Sequence, residues 1–173
     1  VVAGSSFFIS DKPTQVINVA KKGGDFTSIK AAADAITDAS STKTYLISVG
    51  AGEFAEPEII LPDYVSVAGE SIQSTTVIPD GNHHVFNLGL ACEVSFLNIQ
   101  GIGSAGKAGL YSGDSGDFTQ AHKISIYNCD IGVLVEALTQ DTVFYGEYVD
   151  INEVFTHAAK IYSPNAFTAT AIL

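Results

Sequence analysis

Three short apolar segments repeat one another along the chain, and this repeat limits the fold more than any other feature. They are YVSVAG at 64–69, EVSFLNIQG at 93–101 and KISIYNCDIG at 123–132, at offsets of about 30 residues. A period of this size is typical of a solenoid, in which each coil buries its inward side chains on those of the next coil. We therefore expect these segments to lie side by side and in parallel.

Turn signals argue against a sandwich or a propeller. Antiparallel folds favour Asn-Gly or Asp-Gly hairpins, and only Asp80-Gly81 fits, followed at once by Asn82-His83-His84. Short segments rich in Val, Ile, Phe and Tyr predict strands instead. These strands are predicted at 15–20, 45–49, 58–61, 64–68, 75–78, 84–88, 93–99, 123–127, 133–136, 142–145, 147–151, 160–162 and 167–172. The predicted fold class is all-β, a parallel β-helix.

One amphipathic segment, 25–39, predicts an α-helix, because its Ile and Ala residues recur on one face. Asp25 or Thr27 is the expected N-terminal cap, and the serine-rich stretch at 39–42 is the expected end. The helix precedes the first coils, where a solenoid needs a cap. The predicted organisation is an entry arm at 1–14 and one β-helix domain at 15–173. The absence of Met also suggests a fragment of a longer chain.

Two residue pairs carry structural predictions. Asn98 and Asn128 hold the same place in their repeats, which favours either a stacked Asn ladder at a corner or separate turns with local backbone bonds. Cys92 and Cys129 each lie in an apolar, strand-like segment. Free cysteine is among the most buried residue types, so we expect two buried thiols rather than a disulfide.

Charge restricts the possible partners. The chain has 19 acidic and 8 basic residues, a formal charge of -11, and all its basic residues are lysines. Such a surface repels nucleic acid and anionic membranes, and it would repel pectate unless a metal or a basic patch intervened. No apolar run reaches the roughly 18 residues that a membrane span needs.

Several polar clusters are candidate sites. The loop 113–117 offers Asp114 and Asp117 to calcium, although a solvated turn is the simpler interpretation. His83 and His84 point to opposite faces of a strand, which argues against zinc. Glu53, Glu56 and Glu58 are expected to form a solvated rim. No cofactor is predicted, with calcium as the alternative.

Tyrosines are the predicted binding residues. An aromatic ring with a polar tip can stack on a sugar or fill a protein interface. The candidates are Tyr111, Tyr145, Tyr148 and Tyr162. Packing within the sheets is the alternative role for all of them.

The segment INVAKKGGDFTSIKAAADAI at 17–36, followed by YLISVGAGEFAEPEIILPDYVSVAGESIQSTTVI at 45–78, resembles the opening of pectin-lyase-like proteins. Pectinesterases and many phage tail-spike or viral surface proteins share this opening. The resemblance implies a right-handed β-helix. It does not fix an activity, because one fold hosts unrelated functions.

The pectinesterase resemblance implies candidate catalytic residues and also departs from the family. Gly106-Lys107-Ala108 stands where the family has Gly-Gln-Ala. Gln140-Asp141-Thr142 matches a family segment, and Val149-Asp150-Ile151 resembles another at about half the family spacing. Asp141 and Asp150 would be the carboxylates and Gln140 would hold the oxyanion, provided that the two aspartates meet across one short coil. The family's Arg, which pectate lyases also need, is missing.

Two functions follow from this sequence. The first is a non-catalytic module of a phage or viral surface structure, virion-bound or extracellular, which serves as a rigid spacer and attachment surface. Its partners would be copies of itself, as in a homotrimeric spike, other structural subunits, or a surface polysaccharide. The second is a polysaccharide-acting esterase or lyase.

Overall fold

The computed structural model describes residues 13–113, 119–163 and 169–172. Most of the predicted entry arm lies outside these residues, as do the calcium candidates Asp114 and Asp117. The elements are β1 Gln15–Val19, α1 Ile29–Ala35, β2 Tyr45–Val49, β3 Gly52–Glu56, β4 Ile59–Ile60, β5 Val65–Gly69, β6 Thr75–Pro79, β7 Phe86–Asn87, β8 Glu93–Ser95, β9 Asn98–Gln100, β10 Ala108–Gly113, β11 Thr119–Tyr127, β12 Ile131–Glu136, β13 Thr142–Asn152, β14 His157–Tyr162 and β15 Ala169–Ile172.

The strands form a parallel β-solenoid, as the repeat predicted. Every pairing between the named strands of the described residues is parallel. One sheet has ten strands and contains the path β1-β2-β5-β8-β11-β9-β6-β3, with β13 beside β11 and β15 beside β13. The other sheet has five strands in the order β14-β12-β10-β7-β4. Both sheets surround one main apolar core.

Inward side chains of successive coils stack directly on one another. Ile47 pairs with Val67, Val67 with Val94, and Val94 with Ala121, and all four are buried. Each coil thereby covers the apolar surface of its neighbour, which no single coil could bury alone.

The observed register corrects the predicted alignment of the repeats. Ser66 lies beside Glu93 at an offset of 27 residues, and Glu93 pairs with Gln120. As a result Asn98 pairs with Ser125, so the stacked Asn ladder, one of the two alternatives for these residues, is wrong. Asn128 instead donates from Nδ2 to the carbonyl of Gly101 in the preceding coil, at 2.8 Å.

The capping helix is shorter than predicted, with seven residues instead of the span 25–39. Its N-terminal cap is Ser28, whose Oγ accepts a hydrogen bond from the Ala31 amide at 3.1 Å, so the assignment to Asp25 or Thr27 is wrong. Asp25 accepts a bond from the Asn18 amide instead. The helix ends at Ala35, and the backbone is extended at Ile36, before the serine-rich stretch at 39–42. The helix packs against β1, β2, β3 and β4, as expected for a cap on the first coil.

The three glutamates after Gly52 do not form one solvated rim. Residues 52–56 form β3, which pairs with β6 in parallel. Glu56 ends this strand and is only 2% exposed. Its carboxylate turns inward to the start of α1, so the predicted position of Glu56 in solvent is wrong.

Cys92 and Cys129 are free and buried, as predicted. Burial raises the pKa of the Cys92 thiol to about 12 and that of Cys129 to about 11. Each thiol is a donor to a backbone carbonyl, that of Pro62 for Cys92 and that of Tyr127 for Cys129.

We expect both thiols to resist modification in the native state. The thiolate is the reactive form, and each unit of raised pKa lowers its population about tenfold. At pH 8 the native protein should react with an aromatic disulfide reagent about a hundredfold more slowly than the urea-unfolded chain. Stopped-flow absorbance measures both rates. Rapid native reaction of either thiol would show that it is accessible.

Candidate functional site

Polar and aromatic side chains gather on the outer face of the five-stranded sheet. Tyr111 of β10 pairs with Leu134 of β12, and Glu136 of β12 pairs with Tyr162 of β14. Because Leu134 and Glu136 are two residues apart on one strand, all four side chains lie on the same face. We refer to Tyr111, Glu136 and Tyr162, together with His84, as the sheet-face site.

The centre of this site is a stacked pair of rings. The rings of His84 and Tyr111 lie with centroids 4.5 Å apart and an interplanar angle of 16°. The Tyr111 hydroxyl donates to Glu136 Oε2 at 2.9 Å. The stack holds the ring of Tyr111 and the hydrogen bond holds its hydroxyl, so this surface is largely organised before any ligand arrives.

A glycine is required beside this hydrogen bond. A Cβ at position 113 would occupy the space of the Tyr111 hydroxyl. The absence of a side chain at Gly113 leaves room for the Tyr111 hydroxyl, which reaches Glu136 on the neighbouring strand, in register with Gly113. Gly113 is therefore part of the site.

His84 is held as a neutral ring. The Ala108 amide donates to His84 Nδ1 at 3.0 Å, and since a backbone amide can only donate, the ring proton must lie on Nε2. Burial lowers the pKa of His84, and the nearby Lys107 charge lowers it further against the opposing effects of Glu58 and Glu136. The Nε2–H donor is thus kept over the neutral pH range.

We expect the lowered pKa of His84 to make the fold less stable in mild acid. The unfolded chain protonates near the ordinary histidine value of about 6.5, before the folded chain does, so stability falls as the pH drops below that value. Between pH 7.5 and 5.5, wild type should therefore lose more of its free energy of unfolding than His84→Gln does. Urea titrations measure this difference. The exposed His157→Gln should behave as wild type, and an equal loss in His84→Gln would contradict the expectation.

The four predicted binding tyrosines divide between the two sheets. Tyr111 and Tyr162 lie on the sheet face just described, and Tyr162 is 46% exposed. Tyr145 and Tyr148 lie on β13 in the larger sheet, where they are 40% and 72% exposed. Only Tyr111 is half-buried, because it packs in a small outer cluster with Leu134, Ala108 and Ile131.

The structure does not bring Asp141 and Asp150 together. Asp141 directly precedes β13, and Asp150 lies near the end of the same strand, in register with Ser125. Residues 142–148 extend by about 3.3 Å each, so the two Cα atoms stay at least about 15 Å apart even if the chain reverses fully at Tyr148. Gln140 lies beside Asp141 in sequence. The expected meeting across one coil is absent, and no shared carboxylate site forms.

Lys107 does fall beside the sheet-face site. It stands where the pectinesterase pattern has its first Gln, and its charge acts on His84. Glu136 is the residue that sequence reasoning missed. It is the one charged residue of the apolar strand β12, and it pairs with Gly113 one coil earlier. This position could be recognised from the sequence only if the coil length were known.

The described residues contain neither a metal-binding cluster nor a membrane-spanning helix. No three His, Cys, Asp or Glu side chains within residues 13–113, 119–163 and 169–172 form a metal-binding group. In that same portion of the chain, helical structure falls short of the length and hydropathy needed to cross a bilayer.

Parallel coils, stacked inward columns and a helical cap give this chain the pectin-lyase-like β-helix fold. Among solved structures it is similar to the pectin methylesterase PemA from Erwinia chrysanthemi, with a TM-score of 0.55 and 17% sequence identity. The match covers 79% of this chain and 50% of that one, so this chain spans about half the length of the enzyme it matches. No family model matches the sequence, and no curated protein does. At this identity the likeness concerns the fold alone.

Proposed function

We propose that this chain is a non-catalytic β-helix module that binds an uncharged glycan on its sheet-face site. The observation that carries the proposal is the Tyr111 ring, which is stacked on His84 and hydrogen-bonded to Glu136. The face of an aromatic ring packs on the C–H face of a sugar. The Glu136 carboxylate can accept hydrogen bonds from the sugar hydroxyl groups, and the Nε2–H of His84 can donate one to them.

Charge favours a neutral ligand. The formal charge of -11 and the carboxylate of Glu136 repel a polyuronate. Lys107 brings a single positive charge to the site, which does not offset this repulsion. A stiff solenoid with such a face is suited to attachment in a larger surface structure. We place that structure on a phage or virus, or on another extracellular assembly, with copies of the chain or other structural subunits as partners. No cofactor is required.

A binding series with a matched tyrosine control tests this proposal. Tyr127 resembles Tyr111 in being half-buried and in donating its hydroxyl to a side chain of a neighbouring coil, Gln100 Oε1 at 2.6 Å. On an array of neutral and uronic-acid glycans, wild type should bind neutral members. Tyr111→Ala should raise the dissociation constant about tenfold, since stacking of a nucleobase on an aromatic side chain contributes about 1–3 kcal/mol and sets the scale for a ring contact of this kind. Tyr127→Ala should bind as wild type, and equal binding by both variants would contradict the proposal.

The alternative is an esterase or lyase, favoured by the fold it shares with a pectin methylesterase and by the segment Gln140-Asp141-Thr142. A working pair of carboxylates must act at one point, and the separation of Asp141 from Asp150 weighs against this function. Methyl-esterified and de-esterified polyuronides, with and without calcium, should yield neither methanol nor unsaturated ends. Turnover that is lost in Asp141→Asn would overturn the non-catalytic proposal.

A further inference from the structure

A second surface lies where the ten-stranded sheet turns a corner. Phe96, Lys123 and Tyr148 occupy equivalent corner positions in three successive coils, each with a left-handed backbone, at φ angles of 54°, 49° and 56°. Residues on both sides are in register, since His122 pairs with Ser95 and with Glu147. We call Phe96, His122, Lys123, Glu147 and Tyr148 the corner column.

The column is bound together by aromatic and charged contacts across the coils. His122 meets Phe96 edge-to-face at a centroid distance of 5.5 Å and Tyr148 at 6.1 Å. Its Nδ1 lies 3.3 Å from Glu147 Oε2, and Lys123 Nζ lies 5.5 Å from the Phe96 ring centroid. The rings of three coils therefore form one continuous strip.

The choice of residues at this corner works against backbone preference. A left-handed conformation is natural for Gly and unfavourable for a bulky side chain. Strained positions of this kind persist where the side chain is needed, and they cluster at functional sites. Large rings at two of the three corner positions thus need an explanation other than the turn itself.

Exposure and charge indicate the ligand. Tyr148 is 72% exposed and Phe96 is 38% exposed. Lys123 and Glu147 bring opposite charges beside these rings, so the strip has no excess of either sign. Neighbouring coils lie about 4.8 Å apart, and two coil spacings are close to the length of a disaccharide. We propose that the corner column is a second binding site, which takes an uncharged glycan chain along the solenoid axis.

A second copy of the chain is a poorer occupant. A stable protein interface buries about 800 Å² on each partner, far more than these few side chains supply. A copy would also bring the same formal charge of -11 to the contact. The inference shares its ligand class with the proposed function, but it uses a different sheet and different residues.

Tyr148→Gly is the decisive variant, because it removes the ring and also suits the left-handed backbone, so the fold is kept. Ala91→Gly is its matched control, since Ala91 has a φ of 53° at another corner position. Neutral oligosaccharides, such as hexamers of glucose, mannose and N-acetylglucosamine, are titrated by calorimetry and by NMR of the ring protons. Sedimentation is measured on the same samples.

We expect Tyr148→Gly to weaken binding at the corner column at least tenfold, as followed by the Phe96 ring protons, while Ala91→Gly binds there as wild type. In Tyr111→Ala, the Tyr148 ring protons should shift on addition of the oligosaccharide as they do in wild type. This result would separate the corner column from the sheet-face site. Absence of any shift at the column with all three hexamers would overturn the inference, as would equal losses in the two glycine variants. If wild type self-associates in sedimentation and Tyr148→Gly does not, the corner column is a contact between copies of the chain. That result would also overturn the inference.

Discussion

Replacing Glu56 with Ala is expected to lower the free energy of unfolding by about 3 kcal/mol, because it leaves buried donors without a partner. Glu56 Oε1 accepts the Ile29 amide at 2.7 Å, and Oε2 accepts the Ser28 hydroxyl at 2.6 Å and the Lys30 amide at 3.3 Å. The carboxylate also faces the positive end of the helix dipole. Urea unfolding followed by circular dichroism gives the change.

Two further variants separate the causes. Glu56→Gln keeps the shape but removes the charge and one of the two accepting oxygens, so it should lose at least about half as much, since hydrogen bonds to a charged group are about twice as strong. Glu53→Ala changes an exposed glutamate of the same strand and should stay within about 0.5 kcal/mol of wild type. If Glu56→Ala has the same free energy of unfolding as Glu53→Ala, the Glu56 carboxylate does not hold the capping helix in place.

The sequence predicted the solenoid because a repeat of inward apolar residues is a local pattern that stacking preserves. It could not predict the register, because the coils differ in length. Thr76 pairs with Asn98, 22 positions later, whereas Glu93 lies 27 positions after its neighbour Ser66. An alignment of strand sequences at one period therefore slips by a few residues, and side-chain ladders slip with it. The burial of Glu56 was hidden for a related reason, since it depends on a helix in another coil.

The site was partly predictable for the same reasons. An aromatic residue with a polar tip is recognisable as a candidate in any sequence, and Tyr111 and Tyr162 were named as candidates in this way. Glu136 and His84 became partners of Tyr111 only through coil stacking, at separations of 25 and 27 residues. Asp141 and Asp150 attracted attention through motif likeness, but one continuous strand keeps them apart.

Gly101→Ala should destabilise the fold by about 3 kcal/mol, because it forces apart two coils that are in close backbone contact. A Cβ at position 101 would lie 2.5 Å from the Asn128 carbonyl oxygen, 2.6 Å from Cys129 Sγ and 2.8 Å from Cys129 Cα. Two of these atoms belong to the backbone, so rotation of a side chain cannot relieve the clash. The shift would also disturb the Asn128 bond to the Gly101 carbonyl.

The matched substitution is Gly81→Ala, where a new Cβ meets nothing closer than the His83 ring at 3.5 Å. That change should be neutral or stabilising by about 0.5 kcal/mol, since Ala restricts the unfolded chain more than Gly does. Displaced coils should also expose Cys129, so Gly101→Ala should gain thiol reactivity at a urea concentration where Gly81→Ala does not. Equal stability of the two variants would mean that the coils are not in close contact at this corner, and that the spacing of the solenoid is set elsewhere.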